Sequence, residues 1–121
     1  MRDLARFGEM IRNRGLANGT QVVPGGWIDD IHLNGDTQAF ANGDLAFVFP
    51  EGRYRSKWYT IDAARGDLAA VGIHGQWIHI DPSTDTVIVK VAAQPNPMDI
   101  PIDHRWLAAF RAIGDHLSQS T

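Results

Sequence analysis

Cysteine is absent from the 121 residues, which excludes a disulfide framework and any thiolate metal site and leaves the redox compartment undecided. Long apolar runs are absent as well. None approaches the roughly 20 residues that a membrane-spanning helix requires, and the opening MRDLARFGEM carries charges where a signal peptide would have its apolar segment. No membrane partner is expected, and the compartment stays open between the cytosol and the outside, the missing signal peptide favouring the cytoplasm. An excess of positive charge is also missing. Eleven Lys and Arg against fourteen Asp and Glu give a net charge of -3, so no nucleic acid is expected. The five histidines, His32, His74, His79, His104 and His116, show neither H-x-H nor i, i+4 spacing. Nothing in their pattern calls for a metal, and no cofactor motif is present.

What is present describes a packed domain: 44% hydrophobic residues, four tryptophans and only 21% charged residues. In the first segment Leu4, Phe7 and Ile11 recur at helical spacing, and the helix ends near Gly15. Pro24 and two glycines lead into a second short helix carrying Trp27, Ile28 and Ile31, which closes at Asn34-Gly35. Gly43 to Glu51 reads as loop or a short edge piece. Lys57–Ile61, Leu68–Ile73, Gln76–Asp81 and Thr86–Ala92 are β-rich runs separated by turn residues, and they form an antiparallel meander. Prolines 95, 97 and 101 stop the sheet. A last helix from about Asp103 to Leu117 presents Trp106, Phe110, Ile113 and Leu117 on one stripe. The fold class is therefore α+β, an antiparallel sheet flanked by a C-terminal helix with helices before it. As one unit over 1–121 it divides into a helical and loop segment at 1–52, strands at 53–93 and the helix at 103–118.

Candidate chemistry is sparse. Asp29 and Asp30 are neighbours on a helix and diverge, so they cannot face each other across a substrate. His79 alternates with Ile78 and Ile80 and is expected to face outward; His104 and His116 flank the last helix and read as solvated. The stretch AAVGIHGQWIHIDP is different, because Gly72 and Gly75 interrupt a strand pattern, and glycine there marks a bend or a close approach to the backbone.

Taken in order, RDLARFGEMIRNRG, VVPGGWIDDI, YRSKWYTID, AAVGIHGQWIHIDPSTDTVIVK and LAAFRAIGDHL resemble the C-terminal part of the serine β-lactamase-like hydrolases. The nearest subgroup is the 6-aminohexanoate-dimer hydrolases and related esterases. That family combines Ser-x-x-Lys, a Tyr-x-Asn-type element and a Lys-Thr-Gly-type strand. The resemblance places Ala70-Val71-Gly72 on the third of these. It implies that the backbone N–H of Ile73 is one oxyanion-hole donor and that Val71, Gly72 and His74 line the substrate. Ala70 lacks the cation that would hold a β-lactam carboxylate, which favours a small linear amide or ester substrate. Tyr54-Arg55-Ser56 superficially matches the second motif, but its aromatic surroundings suit the start of a strand.

No Ser-x-x-Lys occurs, since Ser56, Ser83, Ser118 and Ser120 all lack a lysine three residues on. The expected function is thus the C-terminal portion of an acyl-enzyme hydrolase, inactive alone. The expected partner is the N-terminal half that carries the nucleophile, or another copy joined by self-association through the edge strand Thr86–Ala92. The alternative is a non-catalytic binding or structural module derived from the same fold.

Overall fold

The computed structural model describes residues 1–120. Helix α1 (Arg2–Arg12) is followed by the small hairpin β1 (Leu16–Ala17) and β2 (Thr20–Gln21), then α2 (Gly25–Leu33) and the short α3 (Thr37–Ala41). Beyond a 3-10 turn at Asp44–Phe47 come β3 (Arg53–Arg55), β4 (Trp58–Asp62), β5 (Asp67–Gly72), β6 (Gln76–Asp81) and β7 (Thr86–Lys90), and finally α4 (Ile100–Gln119). The fold is α+β. The five strands β3 to β7 pair antiparallel in chain order, so β3 and β7 are the two edges.

Period-two alternation sends the strand side chains to opposite faces, and each face builds its own core. One face gathers Trp58, Leu68 and Ile80 beneath Met10 and Ile11 of α1 and Ile28 and Ile31 of α2. The other gathers Ile61, Ala69 and Trp77 with Leu107 and Phe110 of α4 and Val48 and Phe49. Helix α1 lies on β6 and β7, where a Cβ on Gly8 would sit 2.6 Å from Val87 Cγ1. That glycine lets the helix backbone settle onto the sheet. The buried face of α1 is accordingly Gly8, Met10 and Ile11, while Leu4 and Phe7 of the expected stripe stay 44% exposed.

Several expectations need correction. His79 does not face outward; it is fully buried on the α4 side of the sheet. Of the two readings of 43–51 the loop holds and the edge piece does not: a 3-10 turn leads to the buried Val48 and Phe49. The second edge is instead β3, joined to β4 by Ser56 and Lys57 with φ of 52° and 74°. Both central residues adopt the left-handed conformation of a two-residue hairpin without a glycine to announce it. The sheet ends at Lys90 rather than Ala92. Helix α4 starts at Ile100, because Asp99 accepts from the Ile102 N–H as its cap and Pro101 falls within the first turn, where a missing N–H costs nothing.

Candidate functional site

The site is built at the end of β5. Gly72 is extended (φ −111°) and exposed, and Ile73, His74 and Gly75 then turn the chain into β6. His74 sits in the left-handed region (φ 60°) and Gly75 follows it at φ 86°. A Cβ on Gly75 would lie 2.3 Å from Gln94 Oε1 and 2.7 Å from Lys90 Nζ, so both its conformation and its surroundings require glycine.

A strap formed by residues 91–97 holds this turn. The His74 N–H donates to the Pro97 carbonyl at 3.0 Å, and the His74 carbonyl accepts from the Gln94 N–H at 3.1 Å. The ring is fixed too, with Nδ1 donating to the Gln94 carbonyl at 2.8 Å. Gln76 donates to the Ala92 carbonyl and accepts from the Ala92 N–H. Lys90 Nζ donates to the Gly75 carbonyl at 2.6 Å and to Gln94 Oε1 at 2.9 Å, and it stands 4.6 Å from the centre of the Trp106 ring. Ile73, by contrast, is 64% exposed, and its N–H takes no part in the strap. His74 and the Gly75 carbonyl are thus tied down beside the exposed Ile73.

Val71, Gly72, Ile73 and Gly75 border a cleft of about 170 Å³ whose other walls include Phe49, Tyr59 and Met98 and which also reaches Asp103. A second, wider cleft of about 480 Å³ shares Leu45 and Tyr59 with it and continues past Phe40 and Tyr54 to Asp36 and Asp44. The shared wall is aromatic: Tyr54 and Tyr59 lie 4.8 Å apart and Phe40 meets Tyr59 edge-on at 6.2 Å. Burial, assisted by Tyr54, pushes the Tyr59 phenol up, so near neutrality it is a hydrogen-bonding group and not a base.

Of the four residues expected at the site, Val71, Gly72 and Ile73 border the first cleft, whereas the His74 ring is committed to the strap. Gly72 also has a packing reason to be glycine, since a Cβ there would press on Gln76 Cβ at 3.1 Å. Tyr54 is part of β3, opposite Tyr59. The sequence reading missed Asp103, Tyr59 and the strap. For Asp103 a signal existed: with Leu107 and Phe110 it follows i, i+4, i+7, an acid on the apolar stripe of the last helix.

Two ion-pair groups, each anchored on a fully buried aspartate, fix α4, and with it Asp103, against the sheet. Asp67 accepts from Arg111 Nε and Nη2 at 2.8 and 3.0 Å and from His79 Nε2 at 3.1 Å. Burial raises the Asp67 pKa, but the hydrogen bonds from His79 and Arg111 outweigh it and hold the carboxyl below its ordinary value. Arg65 bridges the buried Asp81 to Asp115 of α4.

No family model matches the chain. It is 41% identical over 96 residues, 79% of its length, to a 6-aminohexanoate-dimer hydrolase from Paenarthrobacter ureafaciens, of which it covers 24%. It also superposes on a solved structure from Bacillus anthracis, provisionally named a 6-aminohexanoate-dimer hydrolase, with a TM-score of 0.79 and 28% identity, over 98% of this chain and 29% of that one.

Proposed function

We propose, from the premise that this chain is related to the 6-aminohexanoate-dimer hydrolases over about a quarter of their length, that it forms one wall of an acyl-transfer site. It supplies an oxyanion donor and part of the substrate cleft of a serine hydrolase of β-lactamase-like fold. The observation that carries this reading is Ile73, an exposed residue at the cleft rim on a turn where the strap holds the His74 N–H, the His74 carbonyl and the Gly75 carbonyl but not the Ile73 N–H.

A backbone donor suits charge that develops on a carbonyl oxygen, because it is preorganised and needs no particular side chain. The serine nucleophile and its lysine base come from a polypeptide segment outside these 121 residues. Attack on an amide or ester carbonyl then moves negative charge onto the oxygen facing Ile73, and collapse of that intermediate releases the amine or alcohol. The cleft beside Ile73, lined by Val71, Tyr59 and Met98, suits a linear aliphatic substrate better than a bulky ring system.

The partner that covers this chain is the remainder of such a hydrolase. Its seat is the β7 edge with the neighbouring Leu4 and Val91, which are 44% and 56% exposed. To test the reading, the counterpart of this chain is deleted from the Paenarthrobacter enzyme and the chain is supplied in trans. Recovery of hydrolysis of 6-aminohexanoate dimer or a p-nitrophenyl ester is expected. An assembled complex that forms no acyl-enzyme would overturn it.

A further inference from the structure

Asp103 is 8% exposed and belongs to the first turn of α4, yet among the described residues its carboxylate makes no ion pair and is approached only by the Trp77 indole N–H. It borders the 170 Å³ cleft, between apolar walls that include Val71, Phe49 and Met98. A carboxylate withdrawn from water without a partner is costly and is normally neutralised or paired.

The neighbouring groups do not meet that need. Lys90 is the cation facing Asp103, but its ammonium is spent on the Gly75 carbonyl and Gln94. His104 directs Nε2 to the Phe47 carbonyl, and Asp99 is a further negative charge. The Trp77 indole N–H turns toward Asp103 and lowers its pKa somewhat. The approach is too loose for a hydrogen bond, however, and Trp77 Nε1 stays buried without a partner. Burial is the larger influence and leaves the carboxyl raised above its ordinary value.

We propose that Asp103 is a specificity-determining residue that receives the ammonium or N–H end of a short linear aliphatic ligand lying in the cleft beside Ile73. The apolar walls take the methylene chain, the carboxylate takes the cationic head, and the rim donor at Ile73 is left for a carbonyl oxygen. At about 30 Å³ per water-sized group, the cleft holds a chain of roughly six heavy atoms. This deepens the hydrolase reading and rests on it for the identity of the substrate as an amine-bearing amide. Binding itself requires no nucleophile.

The test is therefore made on the chain alone, with n-pentylammonium and n-pentanol as probes and the Trp77 indole and Ile73 amide NMR signals as readouts. Saturable shifts are expected with n-pentylammonium, at least tenfold tighter than with n-pentanol, and the preference should fade as pH is lowered and Asp103 takes up a proton. Asp103→Asn should abolish the preference while leaving the alcohol affinity unchanged. Should that variant fail to fold, the wild-type preference and its pH dependence decide alone. Equal affinities for amine and alcohol, no saturable binding of either, or an amine preference retained in Asp103→Asn would overturn the proposal. Failure of complementation in trans would instead strike the hydrolase reading and leave this binding result standing.

Discussion

Asp67 accepts three charge-assisted hydrogen bonds in a fully buried position, so its loss strands both His79 and Arg111. Breaking one partner out of such a group costs about 3–5 kcal/mol. Asp67→Ala should lower the unfolding free energy by that order in urea titration, whereas Lys57→Ala on the exposed hairpin turn should change it by under about 0.5 kcal/mol. Because the folded Asp67 pKa lies below its ordinary value of 3.8, the unfolded chain binds more protons in acid. The stabilisation is complete above that ordinary value and is lost as pH falls through the folded pKa. Wild type should therefore lose stability in acid more steeply than Asp67→Asn, as read by melting temperature between neutral pH and pH 3. Asp103 acts with the opposite sign. Its raised pKa removes stability as pH rises, so Asp103→Asn should melt at or above the wild-type temperature at neutral pH. None of this was visible in the sequence around His79, where alternation with two isoleucines suits either face of a sheet. Burial followed only from Asp67 and Arg111, 12 and 32 positions away.

At the scale of elements, the strap over the β5–β6 turn separates positioning from packing. Lys90→Met keeps the apolar stem over Trp106 but removes both hydrogen bonds to the turn. Amide exchange at residues 72–76 and 91–97 should accelerate at least tenfold while exchange in β4 stays unchanged, a pattern that mass spectrometry can resolve. Gly8→Leu tests the other face. Its side chain must displace Val87, an overpacking worth about 1–3 kcal/mol. Strands β4 to β7 and helix α4 were legible because period-two and i, i+4 patterns record which side of an element is buried. The β3 hairpin was not, since Ser56 and Lys57 carry no turn signature, and neither was α3, whose five residues are too few for periodicity. That Gly72 and Gly75 interrupt a strand pattern signalled the bend, while the strap that makes Gly75 necessary reaches it from Lys90 and Gln94.

For the whole molecule, the helices cover both faces of the sheet but leave β3 and β7 as edges among the described residues. Leu4, Val91, Trp106 and Ile113 remain between 38% and 56% exposed. In the proposed reading these surfaces are the ones that the rest of a hydrolase covers. Left uncovered, they should draw the chain into concentration-dependent self-association in sedimentation velocity, and addition of the partner segment should reverse it. Whether the Ile73 N–H stabilises the oxyanion is decided by the acylation rate of the reassembled enzyme with Ile73→Pro in place of the wild-type chain. Proline is tolerated at the first position of a helical turn and removes the N–H donor together with the isoleucine side chain, for which Ile73→Ala is the control. Turnover should fall about 100- to 1000-fold with undiminished assembly; equal rates from an equally assembled complex would rule out the Ile73 N–H as the donor.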